Sequence, residues 1–68
     1  MRVATIRSFI ERSPFRPFTV LLSNGAEYAV KRPQEIGGPK DYHFVAYFGG
    51  EDEVVIIDRN SIVEIIQH

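Results

Sequence analysis

Asn24-Gly25, set between Phe18-Thr19-Val20-Leu21-Leu22 and Glu27-Tyr28-Ala29-Val30-Lys31, predicts a β-hairpin at the centre of this chain's first half. Both turn residues accept the positive φ that a two-residue hairpin turn requires. Phe18, Val20 and Leu22 fall on one face of the first strand, and Tyr28 and Val30 on the inward face of the second. Pro33 ends the second strand, because proline has no amide proton for a ladder.

The rest of the chain is punctuated in the same way. Strands are predicted near residues 18–23, 26–32, 43–48, 53–58 and 62–66. Gly49-Gly50-Glu51-Asp52 reads as a tight turn, and Asp58-Arg59-Asn60-Ser61 as a short turn of 3₁₀ character. Residues 33–42 form the one long loop. Upstream, Val3, Ile6, Phe9 and Ile10 make one apolar stripe of a helix over about 3–12. Pro14 disfavours helical geometry at Ser13 and stops it. The stiff connector Pro14-Phe15-Arg16-Pro17-Phe18 then offers Phe15 and Phe18 as plugs between helix and strands.

These elements describe one domain, residues 1–68, mainly β with one N-terminal helix: a five-stranded antiparallel barrel over about 18–66. The helix caps one open end. The expected core is Ile6, Phe9, Ile10, Phe18, Val20, Leu22, Tyr28, Val30, Phe44, Ala46 and Ile56.

A chain of 68 residues buries only about 60 % of the surface its unfolded form exposes. Such chains commonly lean on disulfides, a metal or a partner subunit. There is no cysteine, so disulfides and thiolate metal sites are excluded, and only His43 and His68 could supply imidazole. Association is the remaining support, and no cofactor is expected. The lack of cysteine fits a reducing cytoplasm, where the chain is expected to reside. No apolar run approaches the ~20 residues of a membrane span.

The net charge of −1 is unevenly placed. Residues 1–40 carry seven Lys/Arg against Glu11, Glu27 and Glu35, while 41–68 carry six acids against Arg59. A chain with one basic and one acidic region suits heterologous contacts between copies.

The order of elements resembles the Sm-like fold, a variant of the SH3-like barrel. Val20-Leu21-Leu22-Ser23-Asn24-Gly25 is similar to the first Sm motif. Val55-Ile56-Ile57-Asp58-Arg59-Asn60-Ser61-Ile62-Val63-Glu64-Ile65 is similar to the second, an apolar strand, a short polar turn and an Ile-Val-x-Ile strand. Residues 14–25 also resemble the Pro-Phe-x-Pro-Phe-x-Val-x-Leu-x-Asn/Asp-Gly opening of small uncharacterised bacterial proteins. The Sm-like resemblance implies rings in which the fourth strand of one subunit pairs with the fifth of the next. It also implies a loop pocket for RNA. In that loop the family has an Asp and an Asn, and this chain has Asp41 without the Asn.

Catalytic constellations are not expected. His43 near Asp41 is the one His–carboxylate neighbour pair, and it reads as a strand-edge histidine rather than a general base. Glu51-Asp52-Glu53 reads as a solvated turn, and Gly37-Gly38 and Gly49-Gly50 lack the residues of a phosphate cradle. The chain is therefore expected to be no enzyme, with no metal site and no membrane partner. Its expected role is a self-assembling, protein-interacting module, with another protein as a further expected partner. The alternative is single-stranded RNA binding through Lys40, Tyr42, His43, Arg59 and Asn60, which mix cations with aromatic faces. The expected oligomer interface lies on the last two strands, through Val55, Ile57, Val63 and Ile65. Those strands are apolar at both alternating positions, so both of their faces need cover.

Overall fold

A computed structural model describes residues 1–50 and 52–68. Glu51, part of the predicted Gly49–Asp52 turn and of the acidic run, lies outside the described residues. The chain runs α1 (Val3–Ile10), β1 (Phe18–Leu22), β2 (Glu27–Val30), a 3₁₀ turn (Pro33–Glu35), β3 (Ile36–Gly37), β4 (Phe44–Phe48), β5 (Val54–Asp58), a second 3₁₀ turn (Arg59–Ser61) and β6 (Ile62–Gln67).

The strands form two antiparallel sheets of three, in the orders β2-β1-β6 and β3-β4-β5. The single five-stranded barrel expected from sequence is thus replaced by six strands in two sheets, with no closed ring of ladders among the described residues. The sixth strand comes from inside the expected long loop, where Ile36 and Gly37 pair with Tyr47 and Ala46. Pro33 starts the 3₁₀ turn that separates β2 from β3, so the chain leaves one sheet and enters the other there.

The hairpin forms, but through a three-residue loop, Ser23-Asn24-Gly25, in which Gly25 has positive φ and Asn24 does not. Gly25 takes φ +89°, its N–H donates to the Leu22 carbonyl (2.9 Å), and Asn24 Oδ1 accepts from the Ala26 N–H (2.9 Å). Helix α1 ends at Ile10, two residues short of the expected end, with Glu11 as its C-cap. Val3, Phe9 and Ile10 pack against the core and Ile6 is buried within it, so the short helix is held by its apolar stripe. Phe18 lies at the centre of an aromatic cluster, with Phe9 at 5.6 Å and Phe15 at 5.7 Å between ring centroids.

The core contains Ile6, Phe18, Val20, Leu22, Val30, Ile36, Tyr42, Val45, Ile57 and Ile62. On β4 and β5 it takes the face opposite to the one expected. Val45 and Ile57 point inward, whereas Phe44 and Ala46 are only half-buried and Ile56 is 62 % exposed. Both strands are apolar at every position from 44 to 48 and from 54 to 57, so alternation holds no preference between their faces. Tyr47 shows what the inner face gains: its ring packs on Tyr28 at 5.1 Å and its hydroxyl reaches the other sheet.

Candidate functional site

Two regions are candidates: the open end of the β4–β5 hairpin, opposite its turn, and the free edges of the sheets. At the open end, the Arg59 N–H donates to the His43 carbonyl (3.2 Å), which sets residues 40–43 beside 59–60. Lys40, His43 and Asn60 are exposed there and Arg59 is half-buried. Asp41 Oδ1 accepts from the His43 N–H (3.3 Å) and lies 2.7 Å from His43 Nδ1. That hydrogen bond, foremost, holds the Asp41 carboxyl below its usual range. The imidazole also meets the Phe44 ring edge-on at 4.7 Å. Asn60 is fixed by its own turn, its N–H donating to Asp58 Oδ1 (2.8 Å).

Tyr42 departs from the surface the sequence suggested. It is 6 % exposed, so its ring is turned into the protein and offers no face for stacking a base. Its φ is +46°, a left-handed conformation that is uncommon for a bulky residue and is held by the surroundings. The hydroxyl donates to Glu11 Oε2 (2.8 Å), and the Arg7 guanidinium sits 5.7 Å from the ring centroid. Arg7 Nη2 donates to the Lys40 carbonyl. Burial first, and then the Glu11 contact, raise the phenol above its ordinary pKa. Gly38 gives the ring room, since a Cβ there would stand 2.8 Å from the Phe44 carbonyl oxygen and 3.0 Å from the ring. Tyr42 is therefore a fastener between α1 and the loop. No signal in the sequence distinguished it from an exposed loop tyrosine.

Among the described residues no group of three or more His, Cys, Asp or Glu could hold a metal ion, and no pocket forms. No helix is long and apolar enough to cross a membrane.

The second region follows from hydrogen-bond parity. In an antiparallel pair, alternate residues bond to the neighbour and those between them point their N–H and C=O away. Gly49 N–H to Glu53 O and Arg59 N–H to His43 O continue the β4–β5 register, so Val55 and Ile57 bond to β4. Val54 and Ile56 direct their backbone groups outward. On β6, His68 N–H to Pro17 O sets the same phase, so Glu64 and Ile66 bond to β1 while Ile65 faces away; the register shift at Leu21/Leu22 leaves Val63 in a bulge without a partner on β1. β5 and β6 are each the last strand of their sheet.

The side chains on these edges differ from the expected set. Ile57 is 2 % exposed and belongs to the core, and Val55 and Ile65 are half-buried against it. Val63 is exposed as expected, and Val54, Ile56 and Ile66 are the other exposed apolar residues of the two strands. On β5 the positions expected to face outward, Val55 and Ile57, are the inward ones.

The free edge of β2 is capped in part. Two of its outward groups are met by side chains, the Tyr47 hydroxyl donating to Ala29 O (3.0 Å) and, just past the strand, the Lys31 N–H donating to Glu35 Oε1 (2.8 Å). The Lys31 bond, foremost, lowers the Glu35 pKa, and the Arg32 guanidinium at 3.2 Å adds to it.

No family model, curated protein or solved structure matches the chain.

Proposed function

We propose that this chain is a non-catalytic module of SH3-like or Sm-like build that assembles with its own copies, β5 of one copy pairing with β6 of the next. The observation that carries this reading is the contrast between edges. The edges of β5 and β6 carry exposed Val54, Ile56, Val63 and Ile66, whereas on that of β2 the Ala29 carbonyl and the Lys31 N–H are already taken by Tyr47 and Glu35. Open edge strands are templates for further pairing. Two different edges meeting make a heterologous contact, which closes into a ring or extends as a filament. The meander through two small sheets, with a 3₁₀ turn between its last two strands, agrees with an SH3-like arrangement.

Sedimentation equilibrium at micromolar concentration tests the assembly. A species heavier than 7.8 kDa is expected, and Val63→Lys should reduce it to a monomer with an unchanged circular dichroism spectrum. A clean monomer of the unaltered chain would falsify the reading.

Single-stranded RNA is the second reading, and the Arg59–His43 bond favours it by bringing the two loops together. It would rest on Lys40, His43, Arg59 and Asn60 without the ring of Tyr42. Binding that weakens steeply with rising salt, with a shallower slope in Lys40→Ala/Arg59→Ala, would support it.

A further inference from the structure

The outer face of the β3-β4-β5 sheet is a flat apolar surface with acidic ends. In the register of β4 and β5, Phe48 stands opposite Val54, Ala46 opposite Ile56 and Phe44 opposite Asp58, all on the outward side. Phe48, Val54 and Ile56 are 44 %, 56 % and 62 % exposed. These are non-hydrogen-bonded pairs, in which cross-strand side chains come closest, so the surface is continuous. On β3 the position opposite Ala46 is Gly37, and a Cβ there would meet nothing within 4 Å. The third strand therefore adds open backbone rather than a ridge.

Charge selects what could cover this face. The β4–β5 hairpin, residues 44–58, holds Glu51, Asp52, Glu53 and Asp58 and no Lys or Arg. Asp52 and Glu53 are exposed beside the Phe48–Val54 end, and Asp58 lies on the face at the other end. Two copies stacked face to face with strands parallel would bring their acidic hairpin tips together.

We propose that this face docks a short basic amphipathic helix of another polypeptide, its apolar stripe on Phe48, Val54 and Ile56 and its cations toward Asp52 and Glu53. The dimensions agree, since a strand of five residues spans about 17 Å and three helical turns about 16 Å. Lys40 and Arg59 flank the Asp58 end, so the guest's cations gather at the opposite end. The site shares Val54 and Ile56 with the β5 edge but is centred on the face of the sheet, where Phe48 and Gly37 take no part in β5–β6 pairing.

The probe is a blocked 14-residue peptide with leucines at i, i+3, i+4, i+7 and lysines on the polar flank, compared with the same peptide carrying glutamates for lysines. Titration into the ¹⁵N-labelled full chain should shift the amides of residues 37, 44–48 and 53–56, with the lysine peptide binding at least tenfold more tightly. Gly37→Lys fills the open position with the wrong charge and should weaken binding at least tenfold while leaving sedimentation unchanged. If that variant misfolds, Phe48→Ser makes the same test. Equal affinity for the two peptides, shifts confined to other residues, or binding untouched by these substitutions would overturn the proposal. So would concentration-dependent shifts of residues 37 and 44–48 without peptide, which would assign the face rather than the β5 edge to a second copy.

Discussion

The Tyr47 hydroxyl donates a 3.0 Å hydrogen bond to the carbonyl of Ala29, so a side chain of one sheet takes an acceptor on the free edge of the other. The ring that delivers it packs at a tilt on Tyr28. One interaction thus joins the sheets and occupies a group that another strand could use for pairing.

Tyr47→Phe keeps the ring and loses the bond. A neutral hydrogen bond contributes about 1 kcal/mol net, so the urea midpoint should fall by that equivalent with the m-value unchanged. If β2 is thereby opened to pairing, sedimentation should reveal larger species than those of the unaltered chain.

The inward face of β5 gives a sharp contrast between neighbours. Ile57→Ala should cost about 2–5 kcal/mol, as truncation of a buried isoleucine does. For a domain of this size that is enough to leave much of it unfolded at 37 °C. Ile56→Ala should stay within about 0.5 kcal/mol under conditions where the chain is monomeric. Urea melts of the two variants decide which face is inside.

Tyr42→Phe removes the bond to Glu11 and retains the buried ring. A hydrogen bond to a charged group contributes about 1.5 kcal/mol at the lower end of its range, and Glu11 is exposed, so the loss should not exceed that. Amide exchange should accelerate in α1 more than in β1, because the bond ties the helix to the loop rather than to the sheet.

Glu35 provides the pH dependence. Its folded pKa lies below the ordinary glutamate range, mainly because its carboxylate accepts from the Lys31 N–H. A depressed carboxylate pKa stabilises the fold above the unfolded value, and that contribution is lost as pH falls through the folded value. The Lys31 amide shift should therefore follow a titration with its midpoint below that of an unperturbed glutamate, and Glu35→Gln should abolish it.

Short-range information determined the elements. Asn24-Gly25 set the first hairpin, Pro14 and Pro33 ended their segments, and the stripe of Val3, Ile6, Phe9 and Ile10 placed the helix against the core, because turn geometry, missing amide protons and helical periodicity act within a few residues. Tertiary structure decided what those signals leave degenerate. Strands that are apolar at every position present either face to a core equally well, so only packing against Tyr28, Phe18 and Val30 turned Val45, Tyr47 and Ile57 inward. The two-residue strand at Ile36–Gly37 is too short to show a period, and it exists because β4 offers it an edge. Tyr42 lies in a loop, and the contacts that bury it come from Glu11 and Arg7, some thirty residues away, a distance no local pattern spans.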